Sequence, residues 1–339
     1  MSDPIISTHL LGLHWETSDP FLFCAFHNDR FPKGNAELGP DASLAGRPIG
    51  QDFQLKDGWR MYHGERVAGF PAHPHRGFET VSIVPVGLVD HADSMGAAGR
   101  YGNGDVQWLT TGRGVQHSEM FPLVNEEQEN PLLFFQIWLN LPAESKMSKP
   151  HFAMFWNDEI PIYQTNDEDG HEIRIKVVAG EIDGTKALPP PPDSWAARPD
   201  SKVAMWLIDL APGASWTLPA EEAGLNRRLY FYEGNSIQAA GQTIAAGTGL
   251  HLKSEYEFTI RNTGASAARF LLLQGRPIAE PVAHYGPFVM NTREELQQAF
   301  TDYQRDQYGG WPWNRHDQVH GRRGRFAIHE DGREEEPAS

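Results

Sequence analysis

From Val67 to about Pro142 the sequence is strand-like text punctuated by glycine. Gly77, Gly87, Gly99, Gly102, Gly104, Gly112 and Gly114 separate short apolar stretches such as Glu79–Pro85, Val106–Thr111 and Leu132–Leu141. Short strands with regular turn signals fold as a sandwich or a barrel rather than as a helical bundle. The whole chain carries 33 glycines and 25 prolines, which extends the same expectation to the rest of it. The run Leu132–Leu141 (LLFFQIWLNL) is apolar except at Gln136 and Asn140. Its length and aromatic content favour a strand buried on both faces over a short core helix.

At Leu188–Asp193 (LPPPPD) four prolines exclude a central strand and a helix interior, so a loop or rigid linker is expected there. Strand signals then resume at Val203–Leu210, Leu229–Glu233, Ser236–Ala239, Thr248–Leu252, Tyr256–Arg261 and Phe270–Gln274. A chain of 339 residues suits two domains of this kind. The expected division is 1–165, 166–285, a helix within 286–309 and an extension over 310–339. The helix is announced by Thr292 and Glu295, spaced as a capping box, with Leu296, Phe300 and Tyr303 on one stripe and Gly309–Gly310 at its end. The extension mixes Arg322, Arg323 and Arg325 with Glu334, Glu335 and Glu336 and is expected to be largely mobile. Pro32–Gly50 reads as an extended surface loop.

The formal net charge of −16 disfavours direct binding to nucleic acid or to an anionic membrane surface. The lone Cys24 permits no intrachain disulfide, which suits a reducing compartment. The first ten residues lack the basic and apolar regions of a signal peptide, and no apolar run of membrane-spanning length occurs. A cytoplasmic location is the resulting expectation.

The chemistry is concentrated in two short segments. In His73-Pro-His-Arg-Gly-Phe-Glu-Thr80, residues two apart on a strand share a face, so His73 and His75 project together, and Glu79 joins them if the strand stays regular. In Gly114-Val-Gln-His-Ser-Glu119, His117 and Glu119 do the same. Two such pairs on neighbouring strands surround one cation with three imidazoles and one carboxylate. That set suits a first-row divalent metal with open positions for water or substrate, not Ca²⁺, Mg²⁺ or a closed thiolate site. On spacing alone Glu79 rivals Glu119 as the acidic ligand. His9, His14, His27, His63, His151 and His171 read as ordinary surface or core residues. In the second block His251 stands alone, with Lys253 two residues on, and that block reads as metal-free; the Leu229–Tyr232 run reads as core or interface.

HPHRGFET (73–80), GDVQWLTTGRGVQHSEM (104–120), FQIWLNLP (135–142) and GPFVMNTREELQQAF (286–300) resemble the signatures of the pirin family, and Asp19-Pro-Phe-Leu22 fits as well. The resemblance spans most of the chain from Asp19 to about Gly309. It implies an all-β bicupin of two stacked jelly-roll barrels, with the C-terminal helix packing back on the N-terminal barrel. It implies one divalent transition metal, usually Fe²⁺ (Ni, Co, Mn, Cu or Zn being the alternatives), on His73, His75, His117 and Glu119. Glu79 is then a supporting residue. Asn35–Arg60 is longer than the family pattern leads one to expect, and so is the extension after Gly309.

Two functions follow from the resemblance. One is a quercetin 2,3-dioxygenase-type oxygenase that takes a flavonol-like aromatic substrate and O₂, with Glu119 as ligand and as base for the substrate's 3-hydroxyl proton. Phe78, Met120 and Phe121 line its pocket or belong to the core, and Trp108 and Trp138 belong to the core. The other is a non-enzymatic metal- or redox-sensing regulator that binds a protein partner.

Overall fold

The glycine-punctuated text folds as expected, into short strands joined by tight turns. In the computed structural model, which describes residues 4–338, nearly all regular structure is β, with one α-helix among the described residues. The chain divides into two units. One comprises residues 4–25, 138–140 and 159–279, and the other residues 26–137, 141–158 and 280–338.

The first unit has a seven-stranded antiparallel sheet in the order Ile5–Leu10, Thr248–Lys253, Asn226–Glu233, Ala268–Gly275, Ala204–Leu210, Glu172–Ala179, Ile162–Asn166. A four-stranded sheet faces it, and both close over one core that includes Ile175, Trp206, Leu229, Phe231, Ile260 and Phe270. Leu229 and Phe231 point into this core, as the apolar run predicts. The Ile5–Leu10 strand pairs with Thr248–Lys253, so the start of the chain completes this sheet and not that of the domain it precedes in sequence. Asp19 of the DPFL signature belongs here too; its carboxylate accepts from the amides of Ile278 (3.0 Å) and Ala279 (2.9 Å).

The second unit is a two-sheet barrel. One sheet runs Glu334–Glu335, Phe326–Ile328, Ala98–Gly102, Leu88–Asp93, Val115–Phe121, Ala68–His75. The facing sheet includes His151–Phe155, Val106–Thr110, Phe78–Val86 and Asn130–Asn140. Between them lies an apolar core that includes Val84, Tyr101, Leu109, Phe121 and Phe134. Trp108 is fully buried as expected, whereas Trp138, which belongs to the first unit, is only half-buried and packs there on Phe23 with ring centroids 4.9 Å apart. Phe78, Met120 and Phe121 are all core residues.

The helix forms where the capping box places it, over Arg293–Asp306. Thr292 Oγ1 accepts from the Glu295 amide at 3.1 Å, and the Glu295 carboxylate accepts from the Thr292 amide at 2.9 Å. Leu296 and Ala299 are buried against Phe288 and Met290, with Phe300 and Tyr303 partly buried beside them. Gln307 already takes the left-handed conformation, so the α-helix stops before Gly309 and a 3₁₀ turn supplies the rest.

One expectation needs correction. The 310–339 extension is not a loose tail over its described residues. Phe326–Ile328 adds a strand to the Ala98–Gly102 edge, and Phe326 and Ala327 are buried. It meets buried carboxylates far away in sequence: Arg325 Nη1 lies 2.7 Å from that of Asp105, and the backbone amide of His320 donates to that of Asp90 at 2.9 Å. From below, buried Arg100 pairs with Asp90 (2.7 Å) and donates to the carbonyls of Gly321 (2.8 Å) and Arg323 (2.6 Å). The Pro32–Gly50 loop is irregular and mostly exposed, as expected, and is held by Arg47, which is buried. Its guanidinium lies 3.4 Å over the Trp59 ring and donates to Asp52 (2.8 Å) and to the carbonyl of Lys56 (2.7 Å).

Burying a phenylalanine contributes about 1.5–3 kcal/mol. A chain ending at Gly309 loses that burial at Phe326 and strands the Arg100 donors. It should melt lower by at least about 2–4 °C, the shift expected per kcal/mol for a domain of this size. Scanning calorimetry would read this, and an unchanged melt would show the extension to be an appendage.

Candidate metal centre

Strand register places the histidines. His73 lies directly opposite His117 in the Ala68–His75 and Val115–Phe121 pair, and a register shift between Phe70 and His73 re-aims the strand just before the ligand segment. Alternation then puts His75 on the same face as His73, and Glu119 on the same face as His117. Candidate ligand nitrogens of His73, His75 and His117 all lie within 4.8 Å of one another. Ring centroids are 4.7 Å apart for His73 and His75, 4.5 Å for His73 and His117, and 4.9 Å for His75 and His117.

Burial holds all three imidazoles neutral. It pushes His73 down to about 4 against a hydrogen bond to Pro71, and it pushes His75 and His117 well below the usual histidine range. Neutral imidazole is the form that ligates a metal. His73 Nδ1 donates to the Pro71 carbonyl at 2.9 Å, which leaves Nε2 as the lone-pair nitrogen. His75 Nδ1 faces the Pro287 carbonyl at 3.4 Å in the same way. Among the described residues neither ring nitrogen of His117 has a hydrogen-bond partner, although the residue is fully buried. A buried polar atom left unpaired costs about 1–3 kcal/mol. The set of imidazole nitrogens around that orphaned ring therefore fits a first-row divalent cation.

Glu119 stands beside the cluster, with Oε2 3.9 Å from His117 Nε2. Two residues of the facing sheet hold its carboxylate. Ser82 Oγ lies 2.8 Å from Oε1, and the Gln136 side-chain amide donates to Oε2. Ser82 Oγ is also 2.9 Å from Gln136 Oε1, so its single proton serves one acceptor at a time. Burial raises the Glu119 pKa, with these hydrogen bonds opposing the rise. Glu79, also fully buried, sits on the facing sheet, where Thr110 Oγ1 donates to it at 2.6 Å. Gln136 was visible in the sequence as a polar break in an apolar run, but nothing local marked its partner. Ser82 carried no signal at all.

The rest of the HPHRG segment fastens the cluster to the helix. Arg76 reaches Asp302 (2.8 Å) and the Arg113 carbonyl (2.7 Å), with its guanidinium 4.5 Å over the Tyr308 ring. Gly77 has φ +87°, and a Cβ there would come 2.0 Å from the Val289 carbonyl oxygen. Only glycine fits that approach. The buried Lys146 ammonium, pushed down to about 8 by burial, donates to the carbonyls of Gly77 (2.7 Å) and Val289 (3.1 Å).

One other cluster of ligand-type side chains occurs among the described residues, Asp167, Asp169 and His171 in the 166–172 hairpin turn. Asp167 accepts there from the amides of His171 (2.8 Å) and Ser215 (2.9 Å), which accounts for it as a turn device. No helix of the described residues is long and apolar enough to cross a membrane.

The chain resembles known proteins over most of its length. Residues 44–139 match the family model described as Pirin, and residues 205–309 match that of the Pirin C-terminal cupin domain. A pirin-like protein of Caulobacter vibrioides is 39% identical over 244 residues, 71% of this chain and 81% of the relative. Pirin of Homo sapiens is 34% identical over 254 residues, 73% of this chain and 80% of the relative. A crystal structure of quercetin 2,3-dioxygenase from Acinetobacter baumannii is similar with a TM-score of 0.70 at 28% identity, covering 90% of this chain and 98% of that one.

Proposed function

The chain belongs to the pirin family, and on that premise we propose that it is an iron-dependent, ring-cleaving oxygenase of the quercetin 2,3-dioxygenase type that acts on flavonol-like substrates with O₂. The observation that carries this reading is the pairing of three neutral histidines, two buried and one partly exposed, with a buried carboxylate whose basicity is raised. The likeness to the Acinetobacter quercetin 2,3-dioxygenase supports it.

His73, His75, His117 and Glu119 would hold the metal. Bound there, a ferrous ion supplies a Lewis acid for the substrate oxygen and a redox partner for O₂. The protein's own part is to place a base and to keep water out. Glu119 accepts the 3-hydroxyl proton of the substrate; its raised pKa brings it closer to the operating range of a general base. Ser82 and Gln136 keep that carboxylate from rotating away. His75 and His117 are buried while His73 is partly exposed, so substrate arrives on the His73 side.

The test is anaerobic reconstitution with Fe²⁺ followed by oxygen-uptake assays over flavonols and catechols. Uptake with a flavonol, absent from the metal-free protein, is the expected result. A protein that binds one iron and consumes no oxygen with any of them is no oxygenase of this type, and the metal- or redox-sensing role with a protein partner takes its place.

A further inference from the structure

The approach to His73 is walled by aromatic rings that the Asn35–Arg60 insertion and the residues just after it bring together. Phe70 precedes the ligand segment and lies 6.4 Å from the His73 ring. Against Phe70 stand His63, at 5.7 Å and 76°, and Phe53, at 6.3 Å. His63 and Phe53 meet edge to face at 4.9 Å. Phe53 and Phe70 are half-buried, and His63 is exposed. This is a preformed apolar wall with one polar group, open to solvent, next to the one partly exposed histidine of the cluster.

The polar group has a fixed orientation. His63 Nδ1 is 2.7 Å from the Gly50 carbonyl, and the His63 amide donates to the Gly69 carbonyl at 3.1 Å. A carbonyl only accepts, so Nδ1 carries the ring proton and Nε2 is left as an acceptor. No described residue donates to that Nε2. The ring is pinned by two neighbours and a hydrogen bond, so an incoming donor does not have to order it first.

We propose that Phe53, His63 and Phe70 form the substrate-recognition rim of this site: an aromatic ring of a polyphenol lies against Phe53 and Phe70, and one of its hydroxyl groups donates to His63 Nε2. The inference rests on the oxygenase reading for its choice of ligand, but it concerns binding and is measurable without turnover. It assigns a role to a histidine that the sequence presents as ordinary, and a purpose to the long loop that positions it.

The experiment uses the full metal-loaded chain without oxygen. Quercetin and 3-hydroxyflavone, which lacks the additional ring hydroxyls, are titrated by absorbance and fluorescence into wild type, His63→Leu and Phe53→Leu, with metal content measured in each. Wild type should bind quercetin more tightly than 3-hydroxyflavone. His63→Leu should weaken quercetin about three- to tenfold, the size of one neutral hydrogen bond, and leave 3-hydroxyflavone and metal content unchanged. Phe53→Leu should weaken both ligands. Equal affinities in all three proteins, or no binding of either compound to wild type, overturn the proposal. Binding with the expected discrimination but no oxygen uptake on aeration keeps the rim and removes the oxygenase.

Discussion

Purified His73→Ala/His75→Ala protein should contain no metal, where the unaltered chain carries close to one first-row ion. The two imidazoles are two of the three whose nitrogens converge, and both come from one face of one strand. Removing them leaves His117 with a single neighbouring carboxylate, too few donors for a stable site. Mass-spectrometric metal analysis reads the outcome. Folding should survive, because His73 is partly exposed and the strand's backbone pairing is untouched. An ion retained at wild-type stoichiometry would mean that this chain binds its metal elsewhere.

Glu119→Gln should lower turnover by about 10²–10⁴, the usual value of a general base, while metal content falls little. The amide still offers an oxygen to a cation but takes no proton from a hydroxyl. It also meets the Gln136 amide, which now donates to the Glu119 carboxylate. Glu79→Gln should be milder on both measures, since the Thr110 hydroxyl that donates to Glu79 can equally donate to an amide oxygen. Paired metal analysis and steady-state kinetics of the two variants separate the roles. The reverse ranking, with Glu79→Gln stripping the metal and Glu119→Gln nearly silent, would move the acidic ligand to Glu79.

The parts legible in the sequence were those whose physics is local. A period of two puts His73 with His75, and His117 with Glu119, whatever the rest of the chain does. Thr292 and Glu295 find each other within one helical turn, and the prolines of 189–192 stop any element that meets them. What escaped is long-range. Ser82 and Gln136 reach Glu119 from the facing sheet, across 37 and 17 residues of sequence. Ile5–Leu10 finds its partner strand more than two hundred residues away. The extension looks like mixed, solvated charge because the carboxylates that receive it, Asp90 and Asp105, are buried residues far away in sequence. The tautomer of His63 depends on a carbonyl thirteen residues upstream, which no spacing rule marks.

Arg100 holds the extension by main-chain oxygens, at Gly321 and Arg323. A carbonyl is the one group every amino acid carries in the same place. The grip is therefore blind to which side chain stands at 323, while Arg325 and Phe326 fix the path from the segment's own side. Such a segment is free to diversify at its outward positions while its route stays fixed, provided that the length leading to Phe326 is kept. It is a place where new surface chemistry can be written onto this scaffold without re-solving how the chain gets there.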